Sequence, residues 1–64
     1  MSESERSVII YLLDAIRANP DHLSRYLSII DKKDASPAFQ ETINMIRNSE
    51  NVVFLAADLR EKMR

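Results

Sequence analysis

The sequence predicts an all-α protein with a single domain over residues 1–64, folded as a helical hairpin. The two apolar hexads of this glycine-free chain, residues 8–13 and 52–57, lie almost equidistant from the polar stretch 31–34. A bend in that stretch would bring the hexads side by side. The first hexad is rich in β-branched residues, but its flanks, residues 2–6 and 14–18, favour a helix and offer no turn residues.

The first helix is predicted to begin near Ser4. Ser2 and Glu5 have the spacing of a capping box, and Ser4 is a competing cap. Because each residue turns a helix by about 100°, the apolar residues from Val8 to Leu13 point in nearly every direction. This helix therefore has more apolar surface than one partner helix can cover.

Pro20 is the first break in the helical pattern, because proline lacks the backbone N–H and disfavours helical geometry at the residue before it. Asn19 is also able to cap a new helix that has Pro20 at its first position. The sequence leaves open whether the first helix is kinked or split here. An amphipathic stripe follows the break: Leu23, Tyr26, Leu27 and Ile30.

The second long helix is predicted to begin at about Pro37, with Ser36 as its N-cap, and to end at about Lys62. Apolar residues keep one helical phase on both sides of the polar patch 48–51: Phe39, Ile43, Ile46, Val53 and Ala57. This favours one continuous helix. A break near residues 48–51 is the alternative, because asparagine and serine favour caps and turns, and Ser49 would then start a fourth helix.

Composition argues against several classes of partner. Nine Lys and Arg residues against ten Asp and Glu residues give a net charge of −1, with the signs interspersed, so nucleic acid is an unfavourable partner. No apolar run approaches the ~20 residues that cross a bilayer, so we expect no membrane contact. The absence of cysteine and of a signal-peptide pattern indicates the cytoplasm.

The residues that carry chemistry do not form a recognisable site. His22 is the only imidazole, and no cysteine or second histidine accompanies it. Phosphate-binding loops of the Walker or dinucleotide type need glycine, which the chain lacks. We therefore expect no enzyme activity, no catalytic residue, no metal ligand and no cofactor.

Self-association is the expected source of additional stability. A chain of about 60 residues buries only ~60% of its unfolded surface, and neither disulfides nor a metal site is available here. We expect a homodimer in which the hexads pack into a four-helix-type bundle. Tyr11 is the expected anchor, since tyrosine suits partly wet interfaces. The predicted interface residues are Val8, Ile9, Tyr11, Leu12, Val53, Phe54 and Leu55.

The predicted function is that of a small regulatory or adaptor protein that binds itself and another protein. The chain is very short, helical and without enzymatic residues. In these respects it is similar to the accessory modulators of bacteriophages, plasmids and bacteria, which act by binding other proteins. The alternative is a helix-turn-helix DNA-binding regulator with helices at 23–30 and 37–48. Its cations would be Lys32, Lys33, Arg60 and Lys62.

Overall fold

The computed structural model describes residues 1–30 and 35–63. That part of the chain contains four α-helices and one 3₁₀ turn, and no strand, so the predicted all-α class is confirmed. The helices are α1 (Glu3–Ala18), α2 (Leu23–Ile29), α3 (Pro37–Arg47) and α4 (Val52–Lys62), and the 3₁₀ turn covers Pro20–His22. The predicted bend at residues 31–34 lies outside the described residues.

The capping box at the start of α1 is confirmed. The Ser2 hydroxyl accepts a hydrogen bond from the Glu5 backbone N–H at 3.1 Å, and the Ser2 N–H donates to Glu5 Oε1 at 3.0 Å. These bonds satisfy two of the N–H groups that a helix start leaves without partners. Ser2 is therefore the cap, and Ser4 lies inside the first turn.

The chain is split, not kinked, at Pro20. Helix α1 ends at Ala18, and the Asn19 N–H still donates to the Ala15 carbonyl oxygen at 2.9 Å. Pro20 then opens the 3₁₀ turn, and α2 follows it. The Asn19 side chain makes no capping hydrogen bond. The break thus depends on the proline ring and not on an asparagine cap.

The prediction of one continuous helix from Pro37 to Lys62 is wrong. Ser36 caps α3 as expected, with its hydroxyl accepting from the Phe39 N–H at 3.3 Å, but α3 ends at Arg47. A new helix, α4, starts after Asn51, whose side-chain oxygen accepts from the Phe54 N–H at 3.4 Å. Asn48 ends α3 and Asn51 caps α4, so the alternative of a break in the patch is confirmed, but α4 starts after Asn51 and not at Ser49.

The break also changes the phase of the apolar seam. A continuous helix would turn Val53 and Ala57 toward the core, but Val53 is 41% exposed and Ala57 is also exposed. The buried residue of α4 is Ala56. The non-helical residues between α3 and α4 rotate α4 relative to the phase that α3 would have continued.

The core is built around one face of α1. This helix makes its most extensive contacts with α4 and also contacts α3 and the 3₁₀ turn. The two hexads, which lie on α1 and α4, are thus brought together. Leu12, a predicted interface residue, is 1% exposed, because more than one helix covers α1. The buried residues are all apolar: Ile9, Leu12, Leu13, Ile16, Phe39, Ile43, Ile46 and Ala56.

Polar contacts join α1 to the other helices at its edges. Glu5 Oε2 accepts a hydrogen bond from the Ser36 N–H at 2.8 Å, so one carboxylate serves the starts of both α1 and α3. The hydrogen bonds from the backbone N–H groups of Ser2 and Ser36 lower the pKa of Glu5 from 4.5 to about 2, and the bond from Ser2 has the larger effect. Asp14 pairs with Arg60 at 3.2 Å, and the Arg6 guanidinium donates to the Met63 carbonyl oxygen.

Shortening a core side chain tests the assigned core. Ile46 is 0% exposed, whereas its neighbour Met45 is 44% exposed. We expect Ile46→Ala to lower the free energy of unfolding by about 2–5 kcal/mol, because it leaves a cavity. The control Met45→Ala should change it by no more than about 0.5 kcal/mol. Urea unfolding followed by circular dichroism, at one protein concentration, measures both. Equal losses from the two variants would contradict the assigned core.

Acid titration tests the double role of Glu5. Because its folded-state pKa of about 2 lies below the ordinary value of 4.5, its stabilisation is fully present above pH 4.5 and is lost as the pH falls toward 2. We expect Glu5→Gln to have a lower melting temperature than the wild type at neutral pH, and the difference to shrink as the pH falls toward 2 and the Glu5 carboxylate takes up a proton. Thermal unfolding followed by circular dichroism gives the comparison.

The matched control is Glu3→Gln, which removes an equal charge from the same turn and leaves the bond to Ser36 in place. At neutral pH its melting temperature should be higher than that of Glu5→Gln. Curves for Glu5→Gln and the wild type that stay parallel throughout the titration would contradict the assigned role.

Candidate protein-interaction site

An open apolar groove lies between α1 and α2. Its volume is about 520 Å³. Helix α1 lines one wall, and α2 with the residue that follows it lines the other. The apolar side chains that line the groove are Val8, Tyr11, Leu12, Ala15, Tyr26, Ile29 and Ile30. A groove of this size and composition is suited to bind apolar side chains of another molecule.

Tyr11 and Ile29 stand at this groove and are largely in water. The exposed fractions are 78% for Tyr11 and 72% for Ile29. Tyr11 follows the core residue Ile9 by two positions, which is about 200° of helical rotation, so the geometry of α1 turns its ring away from the core. A tyrosine ring therefore lies on the face of α1 opposite the core.

A second exposed apolar position lies on α4. Phe54 is 75% exposed and its neighbour Val53 is 41% exposed. The core residue of this helix is Ala56, so Phe54 is again about 200° away from the buried direction. Both hexads thus turn one aromatic ring out to solvent.

The predicted interface residues divide into three groups in the structure. Ile9 and Leu12 lie in the core and are not available to a partner unless the core opens. Val8 and Leu55 are half-buried beside it. The exposed ones are Tyr11, Val53 and Phe54. A predicted role in an interface is therefore open only to those side chains that reach the surface.

Sequence reasoning missed the α2 wall of the groove. The sequence pattern places Tyr26 in the stripe of its own helix and does not include Ile29. The available signal was that Ile29 is a large apolar residue outside the predicted stripe of Leu23, Tyr26, Leu27 and Ile30. An apolar side chain at such a position is either unpartnered or covered by another molecule.

Several polar side chains near the predicted sites make local contacts. The His22 ring packs edge-on to Tyr26, with ring centroids 6.3 Å apart. Lys62 pairs with Asp58 at 3.2 Å, and Arg60 pairs with Asp14. Two cations of the DNA-binding alternative are thus neutralised, while Lys32 and Lys33 lie outside the described residues. Over residues 1–30 and 35–63, no cluster of three or more His, Asp or Glu residues is placed to hold a metal ion.

None of the helices described here is both long enough and apolar enough to span a bilayer. Comparisons of the chain with models of protein families, with curated proteins and with solved structures found no match.

Proposed function

We propose that this protein is a small non-enzymatic regulator or adaptor that acts through protein–protein contacts as a homodimer. The observation that carries the proposal is the exposure of Tyr11, Ile29 and Phe54, each about three-quarters in water, in a chain of 64 residues. Tyr11 and Ile29 border one groove, and an exposed apolar patch of this kind is typical of an interaction surface. The groove beside Tyr11 and Ile29 supplies a shape into which a partner side chain fits.

The size of the hydrophobic term supports association. Burying an exposed side chain of this size contributes up to ~1.5–3 kcal/mol, and small domains have a total stability of only ~5–15 kcal/mol. Covering two or three such side chains in each copy is therefore a large contribution. A pair of copies that places these faces together forms a four-helix-type arrangement, and twofold dimers are the commonest soluble oligomers.

The proposed setting is the cytoplasm, and the proposed class is that of accessory modulators of phages, plasmids or bacteria, which bind other proteins. The helix-turn-helix alternative has less support. Helix α2 ends at Ile29 and α3 begins only at Pro37, a longer connection than the three or four residues of the usual turn. Arg60 and Lys62 are already paired with carboxylates.

Absolute mass across a dilution series tests this proposal. We expect concentrated wild-type protein to have twice the 7.4 kDa mass of the chain and to dissociate on dilution. A charge at the groove, in Tyr11→Asp, should give a folded monomer, because dimerisation would bury an unpaired carboxylate. Light scattering measures the mass, and circular dichroism on the same samples checks the helix content.

The control for this experiment is Met45→Asp, which places the same charge on the exposed face of α3. It should dimerise like the wild type. A wild-type protein that stays a well-folded monomer at every concentration would overturn the homodimer. Strong retention on DNA at physiological salt would favour the alternative function.

A further inference from the structure

We propose that a second copy of this chain covers the α1/α2 groove by laying its own α1 antiparallel across the first α1, with the two Tyr11 residues at the twofold axis. This inference rests on the proposed function and specifies its interface. It depends on the order of residues along one face of α1, on the exposure of that face and on the groove beside it.

The face of α1 around Tyr11 is symmetric in sequence. Ser7 and Ala15 lie four residues to either side of Tyr11, and Ser4 and Ala18 lie seven residues to either side. Steps of four and seven return to the same side of a helix, so these five residues form one stripe. Ser4, Ser7, Tyr11 and Ala18 are exposed and Ala15 is half-buried.

Such a stripe is complementary to itself when it is reversed. In an antiparallel pair with its twofold axis at Tyr11, Ser7 of one copy faces Ala15 of the other, and Ser4 faces Ala18. An isologous interface requires this reciprocity, in which the same patch serves both subunits. Small residues on both sides of the central ring allow the two helices to approach closely, because the distance between helix axes depends on the side chains at the contact.

Asp14 borders this stripe, because it lies three residues after Tyr11 and seven after Ser7, and its side chain is 55% exposed. Arg6 and Asp14 contact Met63 and Arg60 at the C-terminal end of α4. Glu5 contacts the start of α3. The five residues of the stripe carry no charge, and Asp14 beside them is already paired with Arg60, so a second copy meets an ion pair and not a lone carboxylate. Desolvation of unpaired charge is the main cost that would oppose burial of this face.

The groove gives each Tyr11 ring a place to pack. The groove extends from the stripe to Tyr26 and Ile29 of α2. A Tyr11 ring crossing from the partner therefore meets aromatic and aliphatic surface, and Ile29 is covered at the same time. The tyrosine hydroxyl is able to stay at the wet edge, as is common for tyrosine at interfaces.

The area of the face indicates a weak dimer. Helix α1 has 16 residues and α2 has seven, so at 1.5 Å per residue and a width of about 10 Å the face measures roughly 350 Å² per copy. The pair would bury about 700 Å² in projection, below the ~1,200–2,000 Å² of stable interfaces. We therefore expect an equilibrium that responds to protein concentration.

Single-cysteine cross-linking tests the antiparallel register, because the chain has no cysteine of its own. The variants are Ser7→Cys and Ala15→Cys. In the proposed dimer, position 7 faces position 15 of the other copy, whereas the two positions 7 are about 12 Å apart along the axis. A disulfide needs Cα atoms within about 7 Å. Oxidation of an equal mixture should therefore give several-fold more cross-linked dimer than either variant alone.

Mass spectrometry should show that the cross-linked product contains one chain of each variant. Phe54→Cys, at an equally exposed position on α4, is the control and should cross-link poorly. Efficient cross-linking of Ser7→Cys alone would overturn the antiparallel register. A dimer by mass that cross-links only through Phe54→Cys would overturn this interface and leave the proposed function standing. A folded wild-type monomer at every concentration would overturn both.

Discussion

Burial of one face of α1 is the interaction on which the rest of the structure depends. Ile9, Leu12, Leu13 and Ile16 are each at most 1% exposed, and the other buried side chains come from α3 and α4. The chain has no cysteine to link its helices covalently. Packing around this one helix therefore holds a small core together, and its loss would leave α3 and α4 without a common partner.

The remaining surface of α1 is divided between two tasks. Its charged side chains fix neighbouring elements: Glu5 accepts from the N–H groups of Ser2 and Ser36, and Asp14 pairs with Arg60. Its uncharged stripe around Tyr11 fixes nothing within the chain and borders the open groove. One helix is thus both the centre of the fold and, in our proposal, the centre of the dimer. Changes in its buried face should affect folding, and changes in its stripe should affect association.

Local rules predicted the helix starts well, and long-range phase was predicted poorly. The Ser2–Glu5 capping box, the break at Pro20 and the Ser36 cap all depend on residues within about one turn, so the sequence alone suffices for them. The seven-residue spacing from Ile46 to Val53 predicted one long helix. Such a spacing shows on which side of a helix a residue would lie, but it does not show that the helix is unbroken between the two residues. The patch 48–51 interrupts that helix and rotates Ala56 into the core instead of Val53. The exposure of Ile29 and the burial of Leu12 depend on which helices pack against α1 and α2. The pattern of neighbouring residues in the sequence contains little information on that packing.

The central claim is that the stripe around Tyr11 contacts itself in a second copy. Isotope-filtered NMR on a mixture of labelled and unlabelled protein, at a concentration where light scattering gives the dimer mass, tests it most directly, because this measurement detects only contacts between copies. The account predicts intermolecular nuclear Overhauser effects between the Ser7 and Ala15 protons and from the Tyr11 ring to Ile29. Intermolecular effects confined to Val53 and Phe54 would contradict it.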